Sequence, residues 1–150
     1  MLSFFERIKS NVMRKNFLRL GAILMALGVI LGAFGAHGLK DIVTPDRIEI
    51  FETGVRYQVY HALGVLLIGV LLYFRRTSLM PWAGWLFIVG IAFFSGSLYL
   101  LTFAEVASLP TSLIGPITPI GGLLFVAAWV VLAISTFQDN EKRYSKSLEA

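Results

Sequence analysis

Apolar positions fall into four long blocks, Phe17–Ala36, Val55–Phe74, Trp82–Phe103 and Thr118–Phe137, separated by short polar stretches. A helix rises about 1.5 Å per residue and the hydrocarbon core of a bilayer is about 30 Å thick, so each block makes one crossing. The expected architecture is all-α: a four-helix transmembrane bundle over residues 17–137. A basic amphipathic arm at 1–16 precedes it, and a polar tail at 138–150, expected to be disordered, follows.

Local signals refine these blocks. The first span carries Gly21, Gly28 and Gly35 at seven-residue spacing, with Gly28 and Gly32 as a GxxxG pair. Small residues let membrane helices approach closely, so this stripe is expected to be a packing face. Thr44-Pro45-Asp46 reads as a helix start, with a threonine cap, proline in the first turn and an acid near the positive end of the dipole. One helix is expected from Pro45 to Phe74, bending at Gly54 and carrying an i,i+4 Glu52–Arg56 pair. Its core stripe reads as Ile48, Phe51, Val55, Val59 and Ala62. Thr118-Pro119 repeats the cap-plus-proline start, with Gly121 and Gly122 leaving the backbone behind it approachable.

Composition narrows the classes. Hydrophobic residues make up 57% of the chain and charged residues 15%, so the solvent is lipid. The absence of cysteine excludes disulfides, thiolate metal sites and thiol nucleophiles. A net charge of +4 reflects topology: ten basic residues (Arg7, Lys9, Arg14, Lys15, Arg19, Arg75, Arg76, Lys142, Arg143, Lys146) flank one side of the spans. Three, Lys40, Arg47 and Arg56, lie on the other. The positive-inside rule then puts both termini in the cytoplasm and gives the basic arms anionic lipid, not nucleic acid, as their partner. The first apolar block exceeds a signal-peptide core of about 7–15 residues, so it is expected to be a retained span.

That orientation gives depth to the polar residues within the spans. Arg56, Tyr57, Tyr60 and His61 lie in the outer turns of the second span, with Ser97 and Tyr99 at the outer end of the third. Thr118 opens the fourth, and His37 and Glu52 sit beside them. Polar groups in lipid must find partners, so these side chains are expected to turn towards one another. Ser95 and Ser97 are also expected to bond back to their own helix. An arginine beside a helix N-terminus is an anion site, which makes Arg56 with the Thr118 start the candidate for a phosphate headgroup. An internal Glu52–Arg56 pair is the competing outcome.

Four blocks in order, Gly32-Ala-Phe-Gly-Ala-His-Gly-Leu39, Phe51-Glu-Thr-Gly-Val-Arg-Tyr-Gln-Val-Tyr-His-Ala62, Phe94-Ser-Gly-Ser-Leu-Tyr99 and Ile117-Thr-Pro-Ile-Gly-Gly122, resemble the signature of the YgdD-like small inner-membrane proteins. The resemblance covers about Phe17 to Phe137 and implies a four-span bacterial inner-membrane protein, with a mitochondrial branch as the alternative location. The basic N-terminal arm is longer than in the shorter members. The family has no assigned activity, so no catalytic residue follows from it.

The expected function is a non-enzymatic module that binds a lipid or small anion in the outer half of the bundle, or that docks on a larger membrane complex or a second copy of itself. The alternative is a subunit of an oligomeric small-solute transporter or channel, opposed by an inner half with no polar path. No G-x-S-x-G, HExxH or paired-carboxylate motif supports an enzyme. His37 and His61 alone are a weak haem or metal set, so no cofactor or metal is expected.

Overall fold

The computed structural model describes residues 4–74 and 77–148, with side chains described over 12–74 and 77–137. Helices α1 (Phe4–His37), α2 (Pro45–Phe74), α3 (Met80–Thr102), a single turn α4 (Thr111–Ile114) and α5 (Ile117–Leu148) follow in order. No strand occurs among the described residues. Four segments are long and apolar enough to cross a membrane: Val12–His37, Pro45–Phe74, Met80–Thr102 and Thr111–Phe137.

The helix starts follow local chemistry. Pro45 opens α2 without an amide to satisfy, while the Thr44 carbonyl accepts from the amides of Arg47 at 3.0 Å and Ile48 at 3.1 Å. Three expectations need correction. α5 begins at Ile117, so Thr118 lies inside the first turn, with its amide 3.3 Å from the Gly115 carbonyl. The arm backbone is helical from Phe4 and continuous with the first span; the side chains of residues 1–11, which carry its amphipathic pattern, fall outside the described residues. The tail after Phe137 stays helical to Leu148 instead of disordering, across a stretch with neither glycine nor proline to break it. Arg75 and Arg76, and the side chains of Lys142, Arg143 and Lys146, also lie outside the described residues.

Extensive packing joins chain neighbours: α1 with α2, α2 with α3, and α3 with α5. α2 and α3 therefore form the centre, flanked by α1 and α5. Glycine sets the spacing at every seam. Along α1, Gly35, Gly32, Gly28 and Gly21 face Phe51, Val55, Val59 and Leu66 of α2, an antiparallel register that holds over several turns. A Cβ on Gly21 would lie 2.7 Å from Leu66 Cγ and one on Gly28 2.9 Å from Val59 Cγ2, whereas one on Gly32 would sit in ordinary contact at 3.5 Å. At the other seams Gly84 receives Phe17, Gly64 receives Phe87 and Gly90 receives Phe125. Lipid supplies no hydrophobic drive between helices, so this close packing of rings onto bare backbone is what holds them.

Gly54, expected as a bend, lies within continuous α2, where a Cβ would come 2.8 Å from the Tyr99 ring. One core results, built from Phe17 of α1, Val65 and Ile68 of α2, Phe87 and Ile91 of α3, Phe125 and Leu132 of α5, and their neighbours.

Candidate functional site

At the end of the bundle opposite both termini, here the distal end, polar groups cross the seams. The Tyr99 hydroxyl donates to Gln58 Oε1 at 2.9 Å, and Gln58 Nε2 donates to the Leu24 carbonyl at 2.8 Å. One hydrogen-bonded line thus ties α3 to α2 and α2 to α1, with Gln58 buried at its centre. A second link joins α3 to α5: the Ser97 and Thr118 hydroxyls lie 2.7 Å apart, and Ser97 donates to the Phe94 carbonyl at 2.9 Å. A hydroxyl has one hydrogen, so Thr118 must be the donor to Ser97. Sequence logic put both serines on their own helix; Ser97 bonds there and across, while Ser95 is fully buried with no hydrogen-bond partner.

His61 is held on three sides. Its Nδ1 lies 2.7 Å from the Tyr57 carbonyl, which can only accept, so this nitrogen carries the hydrogen. Its ring stacks on Phe125 with centroids 3.4 Å apart and planes within 4°, and Phe87 and Trp129 lie around it. Tyr57 stacks in turn on Phe94 at 4.5 Å. The histidine is therefore part of an aromatic seam between α2, α3 and α5.

Nearer the distal surface, Arg47 of α2 reaches the end of α3. Its Nη1 donates to the Leu101 carbonyl at 3.0 Å and its Nη2 pairs with the Glu105 carboxylate. A cation on the last carbonyls of a helix is favourable both as a hydrogen bond and against the helix dipole. Thr102 completes the join, donating to Leu98 at 2.9 Å with the Arg47 carbonyl at 3.4 Å. Beside this clamp opens a cleft of about 320 Å³, lined by Lys40, Asp41, Arg47, Thr102 and Glu105, with exposed Ile42 and Val106 alongside. A smaller cleft of about 200 Å³ is bordered by Asp46 and Glu49 with Ile50, Thr53 and Leu98.

The residues singled out from sequence separate accordingly. Tyr99, Ser97 and Thr118 enter the cross-seam network, and His61 and Tyr57 enter the aromatic seam. Tyr60 is exposed and borders the aromatic seam through Tyr57, with ring centroids 6.3 Å apart, while His37 is exposed and takes no part in either. Glu52 and Arg56 are both exposed, and the Glu52–Arg56 pair does not form; among the described residues the ion pair is Arg47–Glu105. An exposed i,i+4 pair is worth only a few tenths of a kcal/mol, about too little to hold two long side chains. Nor is the backbone at Gly121 approachable: a Cβ there would lie 2.7 Å from Phe94 Cα, so α3 already fills that side. Gly121 therefore gives a ligand no way to the backbone in the first turns of α5. Sequence reasoning missed Gln58, Arg47 and Lys40. Gln58 had a signal, since it continues the buried face of Phe51 and Gly54 and precedes Ala62 by one turn. No group of three or more His, Asp or Glu that could hold a metal occurs among the described residues.

Comparison with known proteins fits this picture. Residues 31–122 match the family described as Protein of unknown function (DUF423), a range that contains the cleft and most of the polar network. The UPF0382 membrane protein SH2409 of Staphylococcus haemolyticus is 46% identical over 125 residues, which is 83% of this chain and 97% of that protein. The chain belongs to this family. A further member, the UPF0382 membrane protein YwdK of Bacillus subtilis, is 40% identical over 122 residues, covering 81% of this chain and 95% of its own. No solved structure matches the chain. As a DUF423 protein it is an integral membrane protein of a family without an assigned activity.

Proposed function

We propose that this DUF423 protein is a non-enzymatic module of the bacterial inner membrane, of the YgdD-like kind, that holds a small polar ligand in its distal cleft. Both termini lie in the cytoplasm in this reading, so the cleft opens outward; the ten-to-three division of basic residues supports that orientation. The observation that carries the reading is where free polar surface remains. Within the spans, Tyr99, Gln58, Ser97 and Thr118 satisfy one another, and His61 is stacked and bonded. Charged side chains meet an open volume at the cleft of Lys40, Asp41, Arg47 and Glu105, at the lower end of the size range of ligand pockets.

Native mass spectrometry of the gently purified full chain tests this. A bound small species is expected on the wild type and on Arg56→Ala, and is expected to be lost from the double variant Lys40→Ala, Asp41→Asn. Loss from Arg56→Ala with retention in the double variant would move the site to the second span and overturn the reading.

A further inference from the structure

We infer that the distal cleft selects a zwitterion carrying a primary ammonium and a phosphate or carboxylate a few atoms apart, the chemistry of an ethanolamine phospholipid headgroup or its free counterpart. The inference rests on the reading of the cleft as the ligand site and adds the ligand's charge pattern. Two cations, Lys40 and Arg47, and two anions, Asp41 and Glu105, line the volume, so its formal charge is balanced.

Arg47 and Glu105 already face each other. A simple anion gains Lys40 and Arg47 but must lie against two carboxylates, and it competes with Glu105 for the guanidinium. A simple cation meets the converse problem. A ligand bearing both charges extends the existing pair on both sides without leaving either member unpaired, which is the arrangement that electrostatic complementarity favours. A primary ammonium offers the carboxylates three N–H donors, whereas a quaternary ammonium has none.

Three further features fit an amphiphile. Thr44 adds an exposed hydroxyl to the lining, able both to donate and to accept. Exposed Ile42 and Val106, 47% and 62% accessible, stand beside the charged residues where the hydrocarbon end of a lipid would emerge. The cleft also sits at the ends of the apolar segments Pro45–Phe74 and Met80–Thr102, and the end of a crossing is where a headgroup is met.

The test uses the full chain, delipidated in detergent. Short-chain ethanolamine, choline and glycerol phospholipids are offered one at a time, and free phosphoethanolamine separately. Binding is followed by native mass spectrometry and by the shift in thermal unfolding. The expected result is ethanolamine lipid binding roughly ten-fold tighter than either other lipid, with a loss of similar size in Asp41→Asn and in Lys40→Ala, the effect of about one charge-assisted hydrogen bond. Both positions are exposed, so both variants keep the fold. Stabilisation by free phosphoethanolamine as well assigns the selectivity to the headgroup alone, and binding confined to the lipid assigns it to the membrane component. Tightest binding of the glycerol lipid, lost in Lys40→Ala, overturns the zwitterion and leaves the cleft as a ligand site. An ethanolamine preference indifferent to both variants overturns the assignment to the cleft, and no binding of any probe overturns both readings.

Discussion

Tyr99 and Gln58 meet inside the bundle with the phenol oxygen 2.9 Å from the amide oxygen, and the same amide reaches on to the Leu24 carbonyl at 2.8 Å. A single side chain on α2 thereby fixes both of its neighbours. Tyr99→Phe leaves the ring packed against Phe51 and Gly54 but removes one donor. It is expected to destabilise the detergent-solubilised protein by about 0.5–2 kcal/mol, since interhelical hydrogen bonds in membranes are individually modest. Gln58→Ala, which cuts both links and empties a buried position, is expected to cost more than Tyr99→Phe. Denaturant unfolding followed by circular dichroism ranks the two.

The glycines of α3 and α5 make a sharper comparison. A Cβ on Gly121 runs into the Phe94 backbone, one on Gly122 rests 3.7 Å from the Phe94 ring, and one on Gly96 meets nothing within 4 Å. Gly121→Ala is therefore expected to destabilise by about 1–3 kcal/mol, because backbone cannot step aside as a flexible side chain does. Gly96→Ala is expected to be neutral or to stabilise by up to about 1 kcal/mol through helix propensity. Melting temperatures of the three alanine variants check the order Gly121, Gly122, Gly96.

Along α1 the same reasoning separates two glycines of one motif. Gly32→Ala places its methyl in ordinary contact with Val55 and is expected to leave the melting temperature almost unchanged. Gly28→Ala drives into the γ-methyl of Val59, a β-branched residue with little rotamer freedom, and is expected to lower it. Equal effects from both would show that α1 sits further from α2 than this register implies.

At the clamp, Arg47→Ala is expected to destabilise by about 1–3 kcal/mol, because the Leu101 carbonyl and the Glu105 carboxylate both lose their partner. Glu105 is 62% exposed, so Glu105→Gln is expected to change stability far less and to do so in a salt-dependent way. Arg56→Ala is expected to be silent in the same unfolding assay. A larger loss for Glu105→Gln than for Arg47→Ala would show that the ion pair, and not the helix-end hydrogen bond, holds α2 to α3.

The spans were legible because hydropathy alone selects segments that lipid can accept, and the start of α2 was legible because Thr44-Pro45 writes it locally. Contacts between helices carry no such local mark. Arg47 and Glu105 stand 58 residues apart, whereas Glu52 and Arg56 advertise a pairing through spacing that exposed geometry is too weak to enforce. Gly121 and Gly122 read alike in sequence; only the register that sets Phe94 against the first distinguishes them. Gln58 was visible as a polar residue in step with Phe51 and Gly54, yet central α2 has two packed faces, and the residues of α1 and α3 opposite it decide what that amide does.

Thiol accessibility in intact bacterial cells tests most directly the claim that the bundle seals its interior and presents an outward polar cleft. The chain has no native cysteine, so single substitutions report alone. Cysteines at Ile42 and Val106, both exposed beside the cleft, are expected to react with a membrane-impermeant maleimide added from outside, while a cysteine at buried Ser97 stays unlabelled. Labelling of Ile42→Cys and Val106→Cys only after the membrane is opened, or labelling of Ser97→Cys in intact cells, would contradict the orientation in the first case and the sealed network in the second.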